Sequence, residues 1–273
     1  MSLASLFGFI ACIAIIFIVI IEITTDFASF FHMSGMLLVF GGTLASAFMG
    51  YEFRYVMQSL GAVGGVFIRG KANRSMLTVE TGKIIRWGYL VKKSGLVALE
   101  KEIKGAKNQD HFMNYGIELV ITGYSGDEVR QMLGAASNGA FSRATIPVEI
   151  LKSMAGNGPA FGMVGTLVGL VVMLQSLQSN PEGIGEGFAV AILATLYGVI
   201  SARMIFMPAA SKLMQKESIL RFRNFLVSEG FAMLADQKSP RYIQDKMNSY
   251  LDPAIHYHID QKSGGGKGKK AAA

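Results

Sequence analysis

The chain has 273 residues, of which only 16% are charged, whereas a soluble domain of this size carries about a quarter charged residues. The net charge is +7, but all basic residues except Arg203 lie between and after long apolar blocks, which argues against a nucleic-acid-binding protein. One cysteine, Cys12, excludes a disulfide framework and a cysteine-based zinc site. The four histidines are scattered apart from His256 and His258, and a spacing of two does not put two ligands on one face of a helix, so we predict no metal site.

Four apolar blocks predict four transmembrane helices, since a helix needs about 20 apolar residues to cross the hydrocarbon core. The blocks are Leu3–Ile23, Met33–Tyr51, Pro159–Leu177 and approximately Phe188–Met207. They are continuous rather than alternating, which favours helices over a barrel. The first block has no Lys or Arg and is too long for the apolar region of a signal peptide. We therefore expect it to be a retained membrane helix.

The distribution of basic residues predicts the orientation of these helices. Residues 52–155 contain fourteen Lys or Arg and residues 209–273 contain eleven, whereas the connectors 24–32 and 178–187 contain none. Basic residues collect on the cytoplasmic side of a membrane. We therefore predict a multi-pass membrane protein with both termini and the large loop in the cytoplasm.

The large loop is predicted to be helical, which makes the whole chain all-α. Ser125 and Glu128 have the spacing of a capping box, and apolar residues follow them at helical intervals. The predicted domains are transmembrane helices 1 and 2 at 1–51, a cytoplasmic helical domain at 52–155, transmembrane helices 3 and 4 at 156–210, a cytoplasmic C-terminal helical region at 211–262, and a disordered tail at 263–273.

Small residues recur along one face of the third and fourth blocks, and in lipid such residues let helices approach closely. Two interpretations are open: the two faces pack on each other, or they line a seam through which another helix passes. Thr195 lies on one face and Thr166 borders the other, so two hydroxyl groups would point into that seam. The residues of the two faces are Gly158, Gly162, Gly165 and Gly169, and Ala191, Thr195, Gly198 and Ala202.

The same blocks resemble the MotA/PomA family of flagellar stator A subunits. Residues 159–170 read Pro-Ala-Phe-Gly-Met-Val-Gly-Thr-Leu-Val-Gly-Leu, and residues 188–198 read Phe-Ala-Val-Ala-Ile-Leu-Ala-Thr-Leu-Tyr-Gly. Gly41-Gly42-Thr43 in the second block and the position of the large loop are also similar. The resemblance extends over residues 1–250.

The resemblance implies an A subunit that works with partner proteins to turn ion flow into torque. In this family five A subunits surround two copies of a MotB/PomB-like single-span B subunit, and the ring acts on the rotor switch protein FliG. Between Pro159 and Ile205 the chain has no carboxylate or histidine at membrane depth, although proton or sodium conduction needs an ionisable group there. The resemblance implies that an aspartate of the B subunit supplies it and that no other cofactor is required.

The resemblance also assigns roles near the membrane. Thr195 matches the family's threonine near the ion site, and the additional hydroxyl of Thr166 favours Na⁺ slightly over H⁺. The alternative is that each threonine only bonds a carbonyl of its own helix. Pro159 and Pro208 match prolines that transmit motion from the channel, although proline also simply marks helix ends.

A short segment of the large loop resembles the rotor-facing segment of the family. Lys92 and Lys93 match its basic pair and Glu100 matches its acid, while Ser94-Gly95 is predicted to break the helix between them. The alternative is an ordinary solvated helix face.

Two rival functions stay open. An ExbB/TolQ-like energiser of another membrane process belongs to the same superfamily, but those relatives have three spans and an outward N-terminus. A membrane scaffold that conducts no ion would use its small residues for packing alone. No arrangement of residues in the sequence predicts catalysis, so an enzyme is not expected.

Overall fold

A computed structural model describes residues 3–24, 28–65, 74–104, 110–179 and 184–257, and every regular element in these ranges is helical. The predicted all-α class is therefore confirmed for the described part of the chain. The helices are α1 (Leu3–Ile23), α2 (Met33–Met36), α3 (Gly42–Gly50), α4 (Phe53–Gly65), α5 (Arg74–Lys104), α6 (His111–Thr122), α7 (Gly126–Ser179), α8 (Ile184–Ile200), α9 (Met207–Ala235) and α10 (Pro240–Asn248). The predicted tail at 263–273 lies outside the described residues.

Among the described residues, three continuous helices are long and apolar enough to cross a membrane. They are Met33–Gly50, Gly126–Leu177 and Gly187–Ala235. The first apolar block forms a shorter apolar helix, Phe7–Ile23. The second, third and fourth predicted blocks therefore lie in helices of sufficient length.

Pro159 does not mark a helix end. Helix α7 runs for 54 residues and contains both Pro147 and Pro159. A proline inside a helix removes one backbone hydrogen bond and costs about 3 kcal/mol or more. Beside this proline α7 packs closely on α8: a Cβ atom on Gly198 would lie only 2.6 Å from the carbonyl oxygen of Gly158. The interpretation of Pro159 as simple punctuation is therefore wrong.

Pro208 follows a π-helical turn, Ser201–Phe206, which joins α8 to α9 without a break. In this turn the N–H of Met207 donates to the carbonyl of Ala202, five residues earlier. Pro208 has no backbone N–H to donate to an earlier carbonyl. The π-helical turn before it shifts the pairing of N–H and carbonyl groups by one residue. A second π-helical turn, Leu37–Gly41, joins α2 to α3.

The chain forms two compact units. The first consists of Met1–Gly70 and Arg143–Glu217, and the second of Lys71–Ser142 and Ser218–Ala273. The first unit therefore contains the apolar blocks, and the second contains most of the large loop together with the C-terminal helices.

Each unit has its own hydrophobic core. In the first unit Val56, Leu151 and Phe206 are buried together. In the second unit Trp87 and Phe231 stack with ring centroids 5.9 Å apart and are both buried. Aromatic pairs at this separation contribute beyond the area that they bury.

The predicted capping box at the start of α7 is confirmed. The backbone N–H of Ser125 donates to Glu128 Oε2 over 2.9 Å, and the N–H of Glu128 lies 3.4 Å from Ser125 Oγ. Hydrogen bonds from the side chain and the backbone of Ser125 to this carboxylate lower the pKa of Glu128. The cap therefore fixes where α7 begins.

Candidate functional site

The small-residue faces of α7 and α8 lie directly against each other. A Cβ atom added to Gly162 would lie 3.0 Å from the carbonyl oxygen of Ala194, and one added to Gly165 would lie 2.4 Å from the Cβ atom of Ala194. Side chains at these two glycines would therefore collide with α8. Glycine here is required by the close approach of two helix backbones.

The contact continues towards both ends of the two helices. A Cβ atom on Gly169 would lie 2.9 Å from the Cβ atom of Ala191, and Gly198 lies similarly close to Gly158. The packing interpretation is therefore confirmed. Between these glycine faces themselves, backbone atoms of α7 and α8 leave no room for a further helix.

The two predicted hydroxyl groups meet at the edge of this contact. Thr166 Oγ1 lies 2.6 Å from Thr195 Oγ1, and both residues are half-buried. Thr166 Oγ1 also lies 3.0 Å from the carbonyl oxygen of Ala191 and 3.2 Å from that of Gly162. Thr195 Oγ1 lies 3.3 Å from the Gly162 carbonyl. Four oxygen atoms therefore gather at one point between the helices.

The hydrogen-bond donors and acceptors of this oxygen cluster can be counted. Two hydroxyl groups carry two protons, and they share two carbonyl acceptors and each other. Rotation of either hydroxyl turns a lone pair towards an incoming cation or a proton donor, because a hydroxyl both donates and accepts. The cluster is neutral. It can coordinate or orient an ion, but it brings no charge of its own.

Three contacts in the first unit were not predicted from the sequence. Ala194 contacts both Gly162 and Gly165, and its spacing of three from Ala191 was the available signal. The Tyr197 hydroxyl donates to the carbonyl of Phe30 over 2.5 Å and accepts from the N–H of His32 over 2.9 Å. It therefore ties α8 to the segment before α2.

A third unpredicted contact joins α3 to α7. Asn157 Nδ2 donates to Ser46 Oγ over 2.9 Å, and that hydroxyl donates in turn to the carbonyl of Thr43. Asn157 is half-buried two residues before Pro159. Nothing in the sequence pairs residues 111 positions apart, so only the fold shows this bond.

Pro159 and Pro208 occupy different environments in the first unit. Pro159 is half-buried, and a Cβ atom on Gly198 would lie 3.1 Å from its Cα atom. Pro208 is exposed near the start of α9. Of the two prolines, Pro159 is the one that packs against the faces of small residues.

In the second unit, α5 bends sharply where the sequence predicts a break. Gly95 has φ 76° and ψ 177°, a conformation that side-chain-bearing residues rarely adopt. Arg86 forms an ion pair with Glu102, sixteen residues later. In a straight helix these two residues would be about 24 Å apart along the axis. The chain therefore folds back on itself at Gly95.

The predicted rotor-facing residues lie on both arms of this corner. Lys92 and Lys93 are exposed on the arm before Gly95. Glu100 is half-buried on the arm after it, next to Leu99, which is fully buried in the core of the second unit. The basic pair is thus held at a fixed corner by the burial of the neighbouring arm.

Long apolar helices that pack through small residues beside a pair of hydroxyl groups define the chain as a helical membrane protein. It belongs to the MotA/TolQ/ExbB proton channel family, whose model matches residues 104–223. This is a family of channel and stator proteins rather than of enzymes.

Its relatives within the family point to the stator branch. The chain is 30% identical over 253 residues to chemotaxis protein PomA of Vibrio alginolyticus, covering 92% of this chain and 96% of that protein. It is 29% identical over 258 residues to motility protein A of Treponema phagedenis, covering 93% and 95%.

Two solved structures share the fold. The C. jejuni MotAB structure matches with a TM-score of 0.81 at 21% identity, covering 93% of this chain and 97% of that one. The flagellar MotAB stator complex from Bacillus subtilis matches with a TM-score of 0.79 at 20% identity, covering 93% and 96%.

Proposed function

We propose that this chain is the A subunit of an ion-driven rotary stator that converts proton or sodium flow into torque on the flagellar rotor. The observation that carries this proposal is the Thr166–Thr195 hydroxyl pair, 2.6 Å apart at the α7–α8 contact, in a chain that aligns with PomA over nearly its full length. The pair is polar but neutral. It therefore suits a subunit that receives its charge carrier from a partner.

That partner is a MotB/PomB-like single-span protein with an aspartate at membrane depth. The solved structures that share this fold are complexes of A and B subunits, which supports a partner of this kind and an oligomeric assembly. We extend the proposal to five A subunits around two B subunits.

The proposed topology is four membrane helices in the bacterial inner membrane, in contact with lipid, with both termini in the cytoplasm. The absence of basic residues from connectors 24–32 and 178–187 supports it. In this arrangement the corner at Gly95 meets the rotor switch protein FliG, with Lys92, Lys93 and Glu100 as the interacting charges. Pro159 and Pro208 transmit motion from the channel to that corner.

The oxygen cluster also bears on the identity of the ion. Two hydroxyl and two carbonyl oxygens lie together around Thr166 and Thr195. Oxygen ligands replace the water shell of a metal cation, whereas a proton needs no such set. We therefore favour Na⁺.

Replacement of Thr195 tests the function. Thr195→Ala removes one hydroxyl of the cluster, and we expect ion flux through the A–B complex and swimming speed to fall at least tenfold. Thr195→Ser keeps the hydroxyl and is expected to retain most of both. Normal flux and motility in Thr195→Ala, with normal assembly, would instead support a membrane scaffold whose threonines only pack the helices.

Swimming speed against external sodium at constant pH tests the ion. A sodium-driven stator slows as sodium is removed. A speed that ignores sodium but responds to the proton gradient would show that H⁺ is the ion.

A further inference from the structure

The second compact unit has an open cleft between the beginning of α7 and the middle of α9. Its walls combine arginines, hydroxyl or amide groups and phenylalanine rings. They include Arg130, Ser137, Asn138, Phe141, Arg221 and Phe222.

The two arginines of the cleft differ in their partners. Arg130 forms ion pairs with Glu229 over 2.7 Å and with Asp127 over 2.5 Å, and the hydrogen bond to Glu229 is the main reason that its pKa is raised. Arg221 forms no ion pair with any carboxylate among the described residues. It donates to Asn138 Oδ1 over 3.1 Å, and its guanidinium carbon lies 4.6 Å from the ring centre of Phe141.

Arg221 is therefore held in place without a carboxylate partner among the described residues. The ring and the amide orient the guanidinium, which has further N–H donors for a carboxylate. Phe222 and Phe225, on the same helix, are 37% and 41% exposed. Arginine beside exposed aromatic rings is the composition of the centre of protein interfaces.

An exposed glutamate that also has no ion-pair partner among the described residues lies on the opposite side of this unit. Glu118, on α6, is exposed and forms no ion pair within the described part of the chain. Two residues earlier, Gly116 faces α9, because a Cβ atom there would lie 2.4 Å from the ring of Phe231. Two residues turn a helix by about 200°, so Glu118 points away from α9.

Phe222 lies on the face of α9 that is opposite the face in contact with α6. Phe231 follows Phe222 by nine residues, which is about two and a half turns at 3.6 residues per turn. Since Phe231 faces α6, Phe222 faces the opposite way. The aromatic cleft with Arg221 and the face of α6 that carries Glu118 therefore lie on opposite sides of one unit.

We propose that the Arg221–Phe222 cleft of one copy of this chain binds the outer face of α6 of a second copy, with Glu118 opposite Arg221. Different surfaces on opposite sides of a subunit make head-to-tail contacts, and such contacts form a ring when the rotation between neighbouring subunits closes. This inference rests on the proposed oligomeric stator and names the surfaces that join its A subunits.

Photo-cross-linking in cells tests the contact directly. The full chain is expressed with its B subunit and with benzoylphenylalanine in place of Phe222, or of the exposed Tyr242 of α10 as the matched control. We expect a cross-linked dimer of the chain whose second site maps to α6, with a yield about tenfold above the control. A dimer that maps elsewhere, or cross-links only to the B subunit, to a rotor protein or to lipid, overturns the proposal.

A charge exchange tests the pairing of Arg221 with Glu118. Arg221→Glu and Glu118→Arg are each expected to lower the cross-link yield from position 222 about tenfold, and the double variant is expected to restore it, because juxtaposed like charges are repulsive. No loss in the single variants, or no recovery in the double variant, overturns the pairing. Co-purification with the B subunit and ion flux are measured separately. If both persist without the cross-link, the interface is wrong and the proposed function stands.

Discussion

At the scale of single residues, a buried arginine organises the second unit. Arg223, on α9, is 5% exposed, and its guanidinium lies 3.3 Å from Glu80 Oε1 and 2.6 Å from Asp110 Oδ2. The other oxygen of Asp110 accepts from the N–H of Met113 over 2.8 Å and caps α6. One side chain therefore links α5, α9 and the start of α6.

Removal of this arginine should be costly. Arg223→Ala removes the buried cation that pairs with Glu80 and leaves only the exposed Lys83 beside that carboxylate, and breaking a buried ion pair typically costs about 3–5 kcal/mol. The matched control is Lys83→Ala, since Lys83 pairs with the same carboxylate from an exposed position and such pairs contribute only about 0–1 kcal/mol. Denaturant unfolding of the purified chain measures both. Equal losses for the two variants would contradict a special role for Arg223.

The sequence could identify some residues of this scale and not others. Thr166 and Thr195 were predicted because small and hydroxyl-bearing residues recur at helical spacing, and the fold brings their oxygens together. Arg223 and Glu80 are 143 residues apart. No local pattern reports a contact of that separation, so this ion pair was missed.

At the scale of elements, the corner at Gly95 depends on backbone conformation alone. A Cβ atom there would meet nothing within 4 Å, so a side chain would have space. The φ of 76°, however, is a conformation that residues with a side chain rarely adopt. Residues forced into such regions cost about 1–3 kcal/mol.

Gly95→Ala should therefore destabilise the second unit by about 1–3 kcal/mol and reduce torque by disturbing the proposed rotor-facing corner. Gly134, inside α7, also has free space around a Cβ atom but no positive φ. Gly134→Ala is the control and is expected to be neutral or stabilising by up to about 1 kcal/mol. Unfolding and motility assays compare the two variants. A Gly95→Ala protein as stable and active as the control would contradict the strained-corner account.

Prediction succeeded and failed at this scale for identifiable reasons. The break at Gly95 and the cap at Ser125 follow from local chemistry, and both are present. The interpretation of Pro159 as a helix end failed, because the contact between Gly158 and Gly198 joins residues forty positions apart along the chain. The low helix propensity of proline is a local preference, and tertiary packing can override such a preference.

At the scale of the whole molecule, the distribution of charge predicts its orientation in the membrane. In cells with Cys12→Ser as background, Glu182→Cys should react with a membrane-impermeant maleimide added to intact spheroplasts. Lys93→Cys should react only after permeabilisation, because basic segments remain cytoplasmic. Labelling of Lys93→Cys in intact spheroplasts would contradict the proposed topology.

The sequence by itself determined the chemical character of the protein: apolar blocks long enough for lipid, charges concentrated in the segments between and after them, and hydroxyls among small residues. These properties are local, because hydropathy, spacing and capping act over a few turns of chain. Only the tertiary structure decided that the glycine faces of α7 and α8 close on each other, that Pro159 lies inside a continuous helix, and that Arg221 and Glu118 lie on opposite sides of one unit. Those facts depend on contacts between segments far apart in the chain, where the free energy gained by packing outweighs local preference.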